Sequence, residues 1–310
     1  MALKVAILIN GMGAGGAERS TAETLPRLAR AGIEPLVVCL YHRREGVEEA
    51  VVSQGFDVRF IPERRLPGRV RALRRLLASE APDLLHTIHF ESDLVGRFAA
   101  VGTSVPVLSS LVNTSYDAVR LKDPRIRPWK LEMVRLADAW TGRHLNTHFH
   151  AISPAVKEAS SRALGLDPER ITVVERGRET GRLGLPSLED RAQARQKLGL
   201  GDDDQVVLNV ARQEFQKGQR YLLEACPALM TSRPRVRVLI AGRTGNATGE
   251  LHSTMSRLGL GERVRFLGHR DDVPTLLAAA DVFAFPSLYE GLGGAVLESK
   301  AMEVPNVASS

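Results

Sequence analysis

The sequence predicts an α/β protein built from two doubly wound parallel-sheet domains. Three observations carry that prediction. Strand-like and helix-like stretches alternate along the chain at the lengths of βα units. The strand-like stretches, such as Lys4-Val-Ala-Ile-Leu-Ile-Asn10, are continuous apolar runs, as strands covered on both faces require. The alternation is interrupted once, at residues 177–186, where glycine and charge dominate and no periodicity survives. The expected division is therefore a first domain at 1–176, a linker at 177–187 and a second domain at 188–310. At 310 residues and 44% hydrophobic composition, the chain can bury a core in each.

In the first block, strands are expected at 4–10, 35–40, 58–61, 84–88, 105–111, 149–152 and 171–174. The first helix carries Leu25, Leu28 and Ala29 on one face and ends near Gly32. Its Ser20 and Glu23 have capping-box spacing, and Pro26 is expected to kink it or open its second half. Further helices are expected at 69–77, around 94–101, at 128–139 and after Ser153-Pro154, which caps the helix carrying Val156. The second block opens with a helix at 188–198. Strands follow at 206–211, 236–241, 264–267, 282–285 and 304–308. Helices alternate with them at 220–229, 251–258, 273–280 and 295–302. Asp272 with Pro274 reads as a helix opening.

Composition excludes several classes. Cys39 and Cys226 each lie within or beside an apolar run, which argues against a disulfide framework and for a reducing compartment. No apolar run approaches the roughly 18 residues of a membrane span, and the first ten residues are too short for a signal peptide. The expectation is a soluble, cytoplasmic protein. The net charge of +6 is concentrated between Arg59 and Arg75, which hold seven arginines and one acid, Glu63. The helix near Arg69 has two readings: a patch for an anionic membrane surface or acidic acceptor, or a solvated face of an arginine-rich protein. Nucleic acid is disfavoured, because aromatic residues (5%) do not interleave with the basic ones.

One stretch organises the chemistry. The apolar run at 281–285 breaks at Pro286-Ser287, passes Gly291, Gly293 and Gly294, and becomes helical. A strand leading through glycines into a helix offers unpaired N–H groups to an anion. Glu290 and Glu298 bracket that turn and are poor phosphate ligands, so they suit hydroxyl groups such as those of a sugar and a ribose. Arg212 and Lys217 follow the second domain's first strand, at the sheet edge where doubly wound folds bind ligands, and suit a diphosphate. Near the start, Gly11-x-Gly13-x-x-Gly16 satisfies a dinucleotide fingerprint. The acid that a nicotinamide site needs about 20 positions on is missing from Cys39-Leu-Tyr-His-Arg-Arg44. That turn reads instead as a place where a ligand or the other domain approaches the backbone, or as a tight turn alone. Asp202-Asp-Asp204 precedes a strand, at the wrong sheet edge for a site, and reads as a solvated turn.

The spacing Glu290-x7-Glu298 after Phe285-Pro-Ser287, with the upstream Arg212-x4-Lys217-Gly, resembles the retaining GT-B glycosyltransferases of family 4. Gly15-Gly-Ala-Glu18, His86-Thr-Ile-His89 with Gly96-Arg97, Ala151-Ile-Ser153, Val264-Arg-Phe-Leu-Gly268 and Ala279-Ala-Asp-Val282 agree, so the resemblance covers essentially the whole chain. It implies two Rossmann-like domains facing a cleft and metal-independent sugar transfer from a nucleotide-diphosphate-sugar donor, with no separate cofactor. Arg212 and Lys217 are similar to the pair that holds the diphosphate, and Glu298 to the acid that accepts the ribose hydroxyls. Glu290, with the amides after Gly291, is similar to the contact to the donor sugar. Gly15 and Gly16 resemble the loop that closes over the phosphates, and His269 opens the segment that receives the base. The acceptor, a glycan, a lipid-linked molecule or a small molecule, would lie against the first domain.

The pattern departs from the family in three places. Where many members have a histidine, Leu111-Val112-Asn113 stands, and Asn113 binds a hydroxyl but exchanges no proton. His86 and His89 are on the preceding strand, with structural roles equally open. Glu175-Arg-Gly-Arg178 replaces the usual Asn-Gly. The chain also stops at Val307-Ala-Ser-Ser310, where the family continues, which implies a second domain with less cover. The competing readings are a binding-only remnant, a nucleotide-sugar epimerase of the same fold and, more distantly, a nicotinamide oxidoreductase.

Overall fold

The computed structural model describes residues 2–43, 45–177, 181 and 183–309. The chain divides into two compact units, Met1–Arg176 and Gly177–Ser310. Arg178, at the end of the Glu175-Arg-Gly-Arg stretch, lies outside the described residues.

The first unit holds seven parallel strands: β1 (Leu3–Ile9), β2 (Ile33–Cys39), β3 (Asp57–Phe60), β4 (Leu84–Ile88), β5 (Val107–Leu111), β6 (His148–Ala151) and β7 (Ile171–Val173). Their order is β3-β2-β1-β4-β5-β6-β7. Among the described residues the connecting helices are α1 (Gly16–Arg30), α2 (Glu48–Ser53), α3 (Leu66–Glu80), α4 (Phe90–Ala100), α5 (Pro128–Leu145) and α6 (Pro154–Leu164). The side chains of β1 alternate between two cores. Ala6 and Leu8 join Leu73, Leu77, Val95 and Ala99 of α3 and α4, while Val5, Ile7 and Ile9 join Ala17 and Leu25 of α1. Burial on both faces is why the strand reads as one apolar run.

The second unit holds β8 (Gln205–Val210), β9 (Val236–Ala241), β10 (Val264–Gly268), β11 (Val282–Phe285) and β12 (Asn306–Ala308), ordered β10-β9-β8-β11-β12 and all parallel. Its helices are α7 (Leu188–Lys197), α8 (Gln219–Ser232), α9 (Thr248–Arg257), α10 (Val273–Ala279) and α11 (Gly294–Ala301). Val206, Leu208 and Phe283 pack with α7 and α10 on one face. Val238 and Ile240 pack with α8 and α9 on the other. Each sheet grows outward in both directions from its first strand. The switch points are therefore β1/β4 and β8/β11, and the crevices outside their carboxyl ends are where such sheets bind ligands.

Several local readings are corrected. Ser20 and Glu23 do not form a capping box, because α1 begins at Gly16 with Gly15 at its N-cap, and Ser20 lies inside the helix. Pro26 sits within that same unbroken helix. Asp272 is the N-cap residue of α10, but its carboxylate binds Arg270 (2.7 Å) rather than the helix. The short α2 has one buried residue, Val51, too little apolar periodicity to be visible in the sequence. Ser153 does cap α6, accepting from the Val156 N–H.

In the arginine-rich segment Arg64, Arg65, Arg71 and Arg75 are exposed, but its central arginine is tied into the fold. Arg69 is 3% exposed. Its Nε donates to the Glu63 carbonyl (2.8 Å), and its Nη1 donates to the Tyr41 hydroxyl (3.0 Å) and pairs with Glu91. Arg74 donates to the carbonyls of Phe98, Ala99 and Val101 at the end of α4, where the helix dipole favours a cation. Arg59 is held by Asp57 and Glu80. These guanidinium groups pin α3 and β3 to their neighbours, so the residue that centred the membrane reading is buried. Among the described residues no helix is long and apolar enough to cross a membrane.

Candidate functional site

In the second unit, two loops meet outside the switch point. The loop after β8 runs through a single 3-10 turn, Phe215–Lys217, to Gly218, and the loop after β11 runs from Pro286 to Gly293. Gly218 has φ +59°, and a Cβ there would lie 1.9 Å from the Pro286 carbonyl oxygen, so only glycine permits this approach. The Leu288 N–H donates to the Gln216 carbonyl (2.8 Å), and the Gln216 amide donates to the Tyr289 carbonyl (2.8 Å). The backbone lock places Lys217 Nζ 2.5 Å from Glu290 Oε2, with both side chains largely withdrawn from solvent.

Glu290 is followed by the glycine turn and α11. Gly291 is buried, Gly293 is the N-cap and Gly294 the first helical residue, so the first turn of α11 opens shortly after Glu290 in the sequence. A Cβ at Gly293 would lie 2.6 Å from Phe285, which holds that turn against the strand end. Glu298 lies half-buried in the second turn of α11. Arg212 projects from the β8 loop with its side chain 59% exposed and pairs with Glu214 (3.6 Å). His269, just past β10, lies 3.5 Å from Arg243 Nη2 and pairs with Asp271 (3.2 Å). The structure thus joins Lys217 to Glu290. Arg212 and His269 stand on their own loops at the same carboxyl edge. Gln216 and Arg243 were missed in the sequence: the first lies inside the quoted motif, and the second follows the end of β9 with no distinguishing pattern. The acidic run is at the opposite edge, before β8, where Asp203 and Asp204 pair with Arg235 and Arg237.

Gly11 is there for close approach, but by the chain's own backbone: a Cβ would lie 2.6 Å from the Tyr41 carbonyl oxygen. The Val47 N–H donates to the Met12 carbonyl (3.0 Å), and Gly13 bridges Gly46. This packing, with no acid at the end of β2, replaces the dinucleotide reading. Gly15 caps α1 and Gly16 has open space around its Cα.

His89 follows β4 at the N-cap of α4 with φ +83°, a conformation a non-glycine residue rarely holds. Its Nδ1 has no hydrogen-bond partner among the described residues. Burial holds its pKa below the usual histidine range, with Arg176 and Arg43 adding to the effect and Glu18 opposing it. Asn113 lies past β5, and its Oδ1 accepts from the Thr114 N–H (2.9 Å).

The two histidines of His86-Thr-Ile-His89 therefore differ. His86 is tied into a chain across three strands, through Ser110 Oγ (2.7 Å) to His150 Nδ1 (3.0 Å) and on to the Val174 carbonyl (2.9 Å). The carbonyl must accept, so His150 Nε2 carries the proton, Ser110 donates to Nδ1, and His86 Nε2 donates to Ser110. Burial first, then His150 and Arg176, push the His86 pKa down to about 4.

Two family models match the chain: "Glycosyl transferase 4-like domain" over residues 15–177 and "Glycosyl transferases group 1" over residues 190–310. The chain belongs to the group 1 glycosyltransferases. Curated relatives of this glycosyltransferase-family chain include an Escherichia coli enzyme named UDP-Gal:alpha-D-GlcNAc-diphosphoundecaprenol alpha-1,3-galactosyltransferase. It is 28% identical over 77% of this chain and 60% of its own length. The D-inositol 3-phosphate glycosyltransferase of Salinispora tropica is 28% identical over 96% of this chain and 67% of its own. This chain spans less than two thirds of the length of the E. coli relative and of an archaeal one from Methanocaldococcus jannaschii, of which it covers 41%. Among solved structures, Anabaena HepE in complex with UDP and glucose superposes with a TM-score of 0.82 at 24% identity, covering 99% of this chain and 80% of that one. Sucrose-phosphate synthase from Thermosynechococcus elongatus gives 0.80 at 20% identity, covering 99% and 81%. The fold is GT-B.

Proposed function

We propose that this chain transfers a sugar from a nucleotide-diphosphate-sugar donor to an acceptor hydroxyl, with retention and without a metal. The observation that carries the reading is the Lys217–Glu290 pair on the two loops that follow β8 and β11, the second of which leads into α11. The relatives' names support the donor class: a UDP-galactose enzyme in Escherichia coli and a GDP-mannose-dependent one in Corynebacterium glutamicum.

Breaking the bond between the anomeric carbon and the phosphate oxygen leaves a nucleoside diphosphate whose terminal phosphate is dianionic, and a cation-like sugar. Lys217, Arg212 and the first-turn amides of α11 supply fixed positive charge to the leaving oxygens, which lowers the barrier without reorganisation. Glu290 accepts from sugar hydroxyls, Glu298 from the ribose, and His269 lies beside the base. Gly15 and Gly16 are assigned to phosphate contact by the family resemblance alone. The acceptor oxygen bonds to the anomeric carbon on the face the phosphate leaves, and its proton passes to the leaving phosphate oxygen. No covalent role falls to Glu290. Asn113 and His89 are assigned to sugar or acceptor hydroxyls.

A donor and acceptor screen followed by NMR of the first product tests the reading. The product keeps the donor's anomeric configuration, and Glu290→Ala abolishes transfer. An inverted product overturns retention, and wild-type transfer by Glu290→Ala overturns the site.

A further inference from the structure

We propose that the outer face of α5 seats on an anionic lipid bilayer through Trp129, Met133, Leu136 and Trp140. Lys122, Arg127, Lys130 and Arg143 would meet the headgroups.

The four apolar side chains are 57%, 62%, 52% and 51% exposed, although each is large enough to be core. Their spacing of four, three and four residues puts them in one narrow stripe along the helix, roughly 16 Å from end to end. The helix buries a different face, with Asp138, Ala139, Thr141 and Gly142, so the stripe is not the side that packs on the sheet. Leu121, 47% exposed, lies in the 3-10 turn Ala118–Lys122 that precedes the helix.

The surrounding charge chooses the occupant. Residues 120–144 contain seven lysines and arginines and three acids. Each acid is already neutralised by an arginine: Asp123 by Arg125 (2.7 Å), Glu132 by Arg135 (2.5 Å) and Asp138 by Arg97 (2.6 Å). Lys122, Arg127, Lys130 and Arg143 are exposed, and Lys130 Nζ lies 5.5 Å from the Trp129 ring centre. The charge left over on this face is positive, which suits an anionic lipid surface. An apolar stripe ended by tryptophans and flanked by lysine and arginine matches the boundary between acyl chains and anionic headgroups. The proposal does not depend on the transfer activity.

The chain's two tryptophans are both on the stripe, so intrinsic fluorescence reports this face alone. The full chain is titrated with vesicles of mixed phosphatidylcholine and phosphatidylglycerol, and with phosphatidylcholine vesicles. The emission should shift to the blue and be quenched by bromine-labelled acyl chains with the anionic vesicles, less so at high salt. Met133→Ser/Leu136→Ser keeps both reporters and removes two exposed side chains, so the fold is retained, as circular dichroism checks. Partitioning of that variant should weaken by about 10- to 100-fold, in line with the loss of two partly buried apolar groups. Arg71→Glu/Arg75→Glu on α3, both exposed, should partition like the parent. Unchanged emission with anionic vesicles, or equal partitioning of the α5 variant and the parent, overturns the proposal. So does emission already shifted without vesicles in a protein that light scattering shows to be a dimer, because a second copy would then cover the stripe.

Discussion

Lys217 Nζ lies 2.5 Å from Glu290 Oε2 across 73 residues of sequence. The two loops that carry them follow β8 and β11, the strands between which the sheet order reverses. The resting site thus holds its cation against its own carboxylate. Under the proposed function, an arriving diphosphate would draw the lysine toward its oxygens and leave Glu290 with lone pairs for hydroxyl donors. One ion pair holds both side chains in position.

The coupling between them should be measurable in the free protein. Lys217→Met leaves Glu290 withdrawn from solvent with no counter-charge and should cost about 1–3 kcal/mol. Lys217→Met/Glu290→Gln should cost less than the sum of the two single changes. Urea unfolding of the four proteins gives the coupling directly, and additive costs would contradict it.

Gly218→Ala tests the lock between the loops. The added methyl must clear the Pro286 carbonyl at a backbone conformation alanine avoids. The expected loss is about 2 kcal/mol or more, with donor affinity falling because Lys217 moves. A thermal scan and a nucleotide titration of the variant check both.

The strands were legible because burial on both faces writes them as unbroken apolar runs, and helix positions followed from what lay between. The motif halves around Lys217 and Glu290 were legible as separate stretches. Their ion pair was not, since nothing local says that two loops 73 residues apart touch. Arg69 was misread for the same reason. A run of arginines looks like surface until Tyr41, the Glu63 carbonyl and Glu91 converge on one of them. Ser20 misled because the actual cap, Gly15, has no side chain to announce it. The stripe on α5 escaped notice because exposed and buried apolar residues obey the same helical spacing. His86 and His89 are three residues apart, and only the positive φ at His89 shows that the second has left the strand's hydrogen-bonded chain.

Arg97 holds α4 to α5 from a fully buried position, with Asp138 at 2.6 Å, Asp93 at 3.9 Å and Thr141 at 3.0 Å. Arg97→Ala strands two buried carboxyl groups and should cost about 3–5 kcal/mol. Asp93, whose pKa burial already raises to about 6, should then bind a proton at still higher pH. Denaturant midpoints of the variant at neutral and mildly acid pH report both effects.

His86 sets an acid limit on the first domain. Its folded pKa of about 4 is below the 6.5 of an unfolded histidine. Above pH 6.5 both states are neutral and its environment costs nothing. As pH falls from 6.5 toward 4, the unfolded chain takes up a proton that the folded one refuses, and stability drops by up to about 3 kcal/mol. His86→Gln should flatten this part of the curve of urea midpoint against pH. An equally steep curve would place the loss elsewhere.

The central claim is that the carboxyl edge of the second domain's sheet holds a nucleoside diphosphate. Calorimetric titration of the chain with UDP, GDP and ADP, without metal, tests it most directly. One nucleotide should bind, and Arg212→Ala and Lys217→Ala should each weaken it by about 10- to 100-fold, the worth of a charge-assisted contact. Binding of none of the three, or binding indifferent to both substitutions, would contradict the account.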